Sequence, residues 1–187
     1  MILNISGRST GGAEGRPDFE QMYCQYYKKI YNYVYGLVLH REMAEDLTDD
    51  MFLAAWEHYD DFDPVRGSAL SWLSSIARNR VVNYRTSAHT RHEISVWLVP
   101  ERADSDYGWQ EKEEGTLENP VNWRTYRILK KLTDEEREFL SLRYGLEMTN
   151  GEIAQLIGSS PAAVSQKYHR LLEKCRRIDS EYDEKPV

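Results

Sequence analysis

From Phe19 to Val38 the apolar residues fall at Phe19, Met22, Tyr23, Tyr26, Ile30, Tyr33, Val34 and Leu37. Steps of three and four put them on one stripe of a helix, whereas a strand sends successive side chains to opposite faces. The pattern resumes after a break at His40–Arg41, with Ala44, Leu47, Met51, Ala55 and Tyr59. It returns a third time in Leu70, Leu73, Ile76, Ala77, Val81 and Tyr84. No stretch shows the alternation of a half-buried strand. The chain is therefore expected to be all-α.

Local punctuation supports the divisions. Phe62-Asp63-Pro64-Val65-Arg66-Gly67 is turn-rich, and Ser68 is placed to cap a third helix that ends in the polar run Arg85–His92. Farther along, Thr133 with Glu136 three positions later forms a capping-box pattern. Phe139, Leu140, Leu142 and Tyr144 follow, and Gly145 is expected to end that helix in a left-handed cap. Asn150 can cap a short helix that stops at Gly158, and Ser160-Pro161 starts the last one, through Val164, Tyr168, Leu171, Leu172 and Cys175. Two small helical domains are expected, at 19–92 and 122–178. A leader (1–18), a flexible acidic linker (93–121) and a tail (179–187) complete the chain.

Charge decides what such domains can bind. The net charge of −7 argues at first sight against nucleic acid. It is unevenly spread: the linker holds eight acids against two bases, while 122–178 holds eleven bases against seven acids. A basic module on an acidic tether is compatible with DNA binding. No apolar run approaches the roughly 20 residues of a membrane span, and the Gly/Ser/Thr-rich start lacks a signal-peptide core, so a cytoplasmic location is expected. Cys24 and Cys175 stand alone, without partners at metal-ligand spacing. No nucleotide-binding loop, metal constellation or nucleophile beside a base is visible. Neither a cofactor nor an enzymatic activity is expected.

Gly151-Glu152-Ile153-Ala154-Gln155-Leu156-Ile157-Gly158-Ser159-Ser160-Pro161-Ala162-Ala163-Val164 has the spacing of a helix-turn-helix. Ala154 is small where two helices must cross, Gly158 makes the turn, and Val164 fills the core. Such a unit sends its second helix into a DNA major groove. Ser165, Gln166, His169 and Arg170 then occupy the exposed face, with Lys167 and Lys174 available to phosphates.

The first domain carries the strings AEDLT at 44–48, FLAAW at 52–56, FDP at 62–64 and WLSSIARNR at 72–80. With LTDEEREFLSLRYGLEMTNGEIAQLIGSSPAAVSQKYHRLLEK at 132–174, the chain closely resembles an extracytoplasmic function (ECF) RNA polymerase sigma factor of the sigma-70 family. The resemblance covers about residues 19–92, as sigma region 2, and 122–177, as sigma region 4. It implies a protein that binds core RNA polymerase, directs it to promoters and promotes DNA melting. Partners implied are the polymerase β′ clamp helices and β flap, promoter DNA and an anti-sigma factor.

By the same resemblance, Glu45, Asp46, Asp49 and Asp50 meet polymerase. The loop Asp63–Ser68 and Arg78, Asn79, Arg80, Asn83 and Arg85 serve the −10 element, and Ser165, Gln166, Lys167, His169 and Arg170 serve the −35 element. Trp72 lies in the apolar period and is assigned to the core rather than to a base wedge; Tyr84 is open either way. Family members often carry a basic residue where Ser165 stands, and the run after Tyr84 is less basic than usual. Two other readings are a sigma-like decoy that binds an anti-sigma factor and an ordinary helix-turn-helix regulator. The second leaves the AEDLT and IARNR strings unexplained.

Overall fold

The computed structural model describes residues 17–90 and 123–183. The expected linker, most of the expected leader and residues 184–187 lie outside the described residues. Among the described residues there are seven α-helices and no strand. The first set is α1 (Phe19–Val38), α2 (Arg41–Glu57) and α3 (Ala69–Thr90), with a 3-10 turn at Tyr59–Asp61. The second is α4 (Trp123–Lys130), α5 (Asp134–Tyr144), α6 (Asn150–Ile157) and α7 (Pro161–Asp183).

The first set packs as the apolar stripes require. Ile30, Val34, Ala44, Met51, Phe52, Ala55, Leu73 and Ala77 are all fully buried. Aromatic rings close one end: Phe19 lies edge-on to Phe52, Trp56 and Tyr59, and Tyr23 and Tyr27 cover the other side of Phe52. The break between α1 and α2 works as the sequence implies. Leu39 takes a left-handed conformation at φ 53°, and His40 Nδ1 accepts from Met43 N at 3.3 Å. Ser68 Oγ accepts from Ser71 N at 3.2 Å and so caps α3. That helix runs on through the polar stretch to Thr90, since nothing from Arg85 to Thr90 is Gly or Pro.

In the second set the Thr133–Glu136 capping box is present, with both reciprocal hydrogen bonds. Gly158 takes the left-handed conformation at φ 66°, and Ser160 Oγ caps α7 through Ala163 N at 3.2 Å. Two expectations are corrected. The cap of α6 is Thr149 rather than Asn150: its hydroxyl accepts from Glu152 N while the Glu152 carboxylate accepts from Thr149 N. A threonine followed three residues later by glutamate satisfies two donors at once, which Asn150 could not do.

Gly145 is not a left-handed cap either, lying at φ −79°, ψ −55°. Its lack of a side chain serves packing. A Cβ there would stand 2.7 Å from Tyr33 N and 2.8 Å from Tyr33 Cα. The left-handed residue of that turn is Glu147, at φ 57°.

Helices α1 and α5 therefore touch backbone to backbone, and the two sets of helices share one buried core. Gly36, inside α1, faces Ser141 of α5, whose Oγ would lie 2.2 Å from an added Cβ. A glycine inside a helix costs about 1 kcal/mol relative to alanine. Close approach to Ser141 accounts for its use here.

Candidate functional site

The acids of α2 lie on one face because positions three and four apart coincide on a helix. Asp46, Asp49 and Asp50 are exposed and Glu45 is half-buried, while Leu47, Thr48, Met51 and Phe52 are buried on the opposite side. The four differ in their surroundings. Glu45 pairs with Arg41 at 3.0 Å, and Asp49 accepts from the Tyr27 hydroxyl at 3.0 Å. Burial first, and then the bond to Asp49, push the Tyr27 hydroxyl well above its usual pKa. Asp46 and Asp50 have no side-chain partner among the described residues. Like charges on adjacent turns disfavour an isolated helix slightly, so this face gains from an oppositely charged partner. Leu53 stands within the acidic face and is 42% exposed. The sequence reading missed it, although its apolar character between acidic turns was the available signal.

The five α3 residues expected at the −10 element divide into two groups. Asn79, Arg80 and Asn83 are exposed and carry no side-chain hydrogen bond or ion pair among the described residues. Arg78 and Arg85, two turns apart on the same side, instead face α5. Arg78 Nε is 2.7 Å from Glu138, and Arg85 Nη1 is 3.0 Å from Asp134. Arg85 also donates to Leu37 O at 2.7 Å, placing a cation where α1 ends without a basic residue of its own. Trp72 packs against the core with its ring 5.2 Å from Phe62, as its apolar register implies. Tyr84 is half-buried against the same core. The loop from Asp63 to Ser68 is exposed throughout.

The helix-turn-helix is formed by α6 and α7. Ile153, Ala154 and Val164 are buried at its crossing, and Ser159 N closes the turn on Ala154 O at 2.8 Å. Gln166, His169 and Arg170 are exposed on α7, with Ser165 half-buried beside them. Lys167 leans the other way, its Nζ lying 4.5 Å from the centre of the Phe139 ring. Lys174 is not free for phosphate, because Glu136 holds it at 2.7 Å. Burial pushes the Glu136 carboxyl up, but hydrogen bonds from Lys174 and the Thr133 backbone outweigh it and hold the group below its ordinary value.

The helix-turn-helix depends on its caps, so Thr149→Ala should cost about 0.5–2 kcal/mol in thermal or urea unfolding. Hydrogen bonds from Thr149 hold the Glu152 carboxyl below its usual range. That contribution is present above the unfolded carboxylate range and disappears as pH falls through the lowered one. The difference between Thr149→Ala and the parent should therefore shrink in acid. A constant difference down to pH values where carboxylates are protonated would exclude this source.

Two family models match the chain: Sigma-70 region 2 over residues 22–91, and Sigma-70 region 4 over 128–177. RNA polymerase sigma factor YlaC of Bacillus subtilis is 32% identical over 83% of this chain and 88% of its own length. ECF RNA polymerase sigma factor BldN of Streptomyces coelicolor is 27% identical over 86% of this chain, which spans 60% of that relative. ECF RNA polymerase sigma factor SigK of Mycolicibacterium vanbaalenii is 26% identical over 84% of this chain and 81% of its own length. Among solved structures, the sigma factor RpoE in complex with the anti-sigma factor NepR from Bartonella quintana superposes with a TM-score of 0.60 at 18% identity. That match covers 86% of this chain and 96% of the other. CnrH in complex with the cytosolic domain of CnrY gives 0.58 at 23% identity, over 86% of each chain. Both structural likenesses concern the fold.

Proposed function

The chain belongs to the ECF sigma factors of the sigma-70 family, and we propose that its two sets of helices divide promoter recognition between them. It binds core RNA polymerase, brings it to particular promoters and assists strand opening. The acidic face of α2, with Glu45, Asp46, Asp49 and Asp50, meets basic residues of the β′ clamp helices. On α3, Asn79, Arg80 and Asn83 serve the opened −10 strand, since Asn suits base edges and Arg suits phosphates or stacking on unpaired bases. Arg78 and Arg85 add charge to that surface. Ser165, Gln166, His169 and Arg170 of α7 enter the major groove at −35, with Lys167 beside the duplex backbone.

The observation that carries this reading is the presence of both sigma regions, in order, in one chain. The chain works in the cytoplasm beside polymerase and makes no bonds itself; nucleotide addition belongs to its partner. A solved relative complexed with an anti-sigma factor supports a similar partner here. No helix among the described residues is long and apolar enough to cross a membrane.

The experiment is transcription from pooled genomic fragments by bacterial core polymerase, with and without the purified chain. Discrete new transcripts that require the chain are expected. Tight binding to core polymerase with no new transcript from any fragment would replace this function with that of a decoy.

A further inference from the structure

Steps of three, one and three place Asn79, Val82, Asn83 and Thr86 on one stripe of α3, and all four are exposed. Val82 is the outlier among them. Its neighbour Val81 turns into the core at 2% exposure, whereas Val82 is 51% exposed. It is the one large apolar side chain exposed on α3 among the described residues. Helix stability does not call for it, because a β-branched residue loses rotamer freedom in a helix and a straight-chain polar residue forms one better. The Thr86 hydroxyl is turned onto Val82 O at 2.9 Å. Asn79, one turn before Val82, is the helical neighbour whose side chain is left to meet a ligand beside it.

From this stripe we infer that Val82 reads the C5 methyl of an unpaired thymine in the opened −10 strand, and so sets a preference for thymine over cytosine at one position. The inference rests on the proposed role of α3 and names the base that this surface selects.

The chemistry of asparagine requires an apolar neighbour for that choice. An amide side chain presents a donor beside an acceptor, and turning it over exchanges the two. One orientation matches O4 and N3–H of thymine; the other matches the N4 amino group and N3 of cytosine. Asn79 alone therefore accepts either pyrimidine. What separates the two bases is the methyl group that thymine carries at C5, next to O4 on the ring. With the amide of Asn79 on the O4 edge, the methyl lies to one side of it, where Val82 offers an apolar surface. Contact removes both apolar groups from water, and cytosine gains nothing there.

The test uses holoenzyme, core polymerase with the full chain, on a promoter recovered by the transcription experiment above. Mismatches hold the opened segment apart, so that a missing methyl does not alter duplex melting. Throughout that segment the fluorescein-labelled non-template strand carries either thymine or uracil, which is thymine without the C5 methyl. Anisotropy gives the affinity. Burial of one methyl is worth about fourfold in binding, so the parent should bind the uracil strand about fourfold more weakly. Val82→Ala should bind the thymine strand about fourfold more weakly than the parent and should no longer distinguish the two strands. Alanine is the better helix former and Val82 stands outside the buried core, so the fold is retained. Lost discrimination, rather than weaker binding alone, is the readout that a structural effect does not move.

Equal binding of both strands by the parent would overturn the inference. A thymine preference undiminished in Val82→Ala would also overturn it, since the methyl would then be read elsewhere. Recovered promoters without thymine in the opened segment would do the same. In these three cases the proposed function stands, because holoenzyme still opens promoters. Recovery of no promoter at all removes the proposed function and this inference together.

Discussion

Phe52→Ala is expected to lower the free energy of unfolding by about 3–5 kcal/mol, the cost of emptying a large aromatic site in a packed core. Phe52 is fully buried, and its ring centre lies 4.9 Å from that of Tyr23, 5.6 Å from Tyr27 and 6.5 Å from Phe19. Phe19 cannot collapse into the vacancy without abandoning its contacts with Trp56 and Tyr59. The loss should therefore fall toward the upper end of that range. Since Phe52 backs the acidic face of α2, polymerase binding should fall in proportion to the unfolded fraction and recover on cooling toward the temperature of maximum stability. Urea unfolding followed by tryptophan fluorescence measures the change. A loss below about 1 kcal/mol would show that this ring cluster is not the keystone of the first set of helices.

Reversing Asp46 and Asp50 together to lysine should have the opposite profile: little change in stability and a large change in binding. Both carboxylates are exposed and hold no partner among the described residues, so lysine removes no internal contact. Each lost attraction and each new repulsion against a basic partner is worth about 0.2–1 kcal/mol when exposed. Four such terms predict a loss of core-polymerase affinity on the order of tenfold at low ionic strength, smaller at high salt. Glu45 and Asp49 make poorer probes, because Arg41 and Tyr27 already engage them. Fluorescence titration of labelled chain with core polymerase at two salt concentrations gives the answer. Unchanged affinity at low salt would move the polymerase contact away from this face.

Much of this protein is written locally. The three- and four-residue apolar steps determine each helix of the first set, because burying one stripe is what stabilises a helix in water. Thr133 with Glu136, Gly158, and Ser160 before Pro161 determine helix ends, since caps involve residues only a few positions apart. The helix-turn-helix and the two family regions were legible for the same reason: their residues are contiguous.

Tertiary structure decided the rest. Gly145 reads as a helix terminator in sequence, yet a side chain there would meet the backbone of Tyr33, more than one hundred residues earlier, as well as the nearby Ser141 carbonyl. Arg78 and Asn79 are neighbours in one string. Only the placement of α5 separates them, pairing the first with Glu138 and leaving the second exposed. Lys174 reads as available in sequence, yet Glu136, 38 residues earlier, pairs with it at 2.7 Å. Ion pairs between helices and close helix approaches depend on distances between segments remote in the chain, and such distances are set by how the helices dock, which no local spacing encodes.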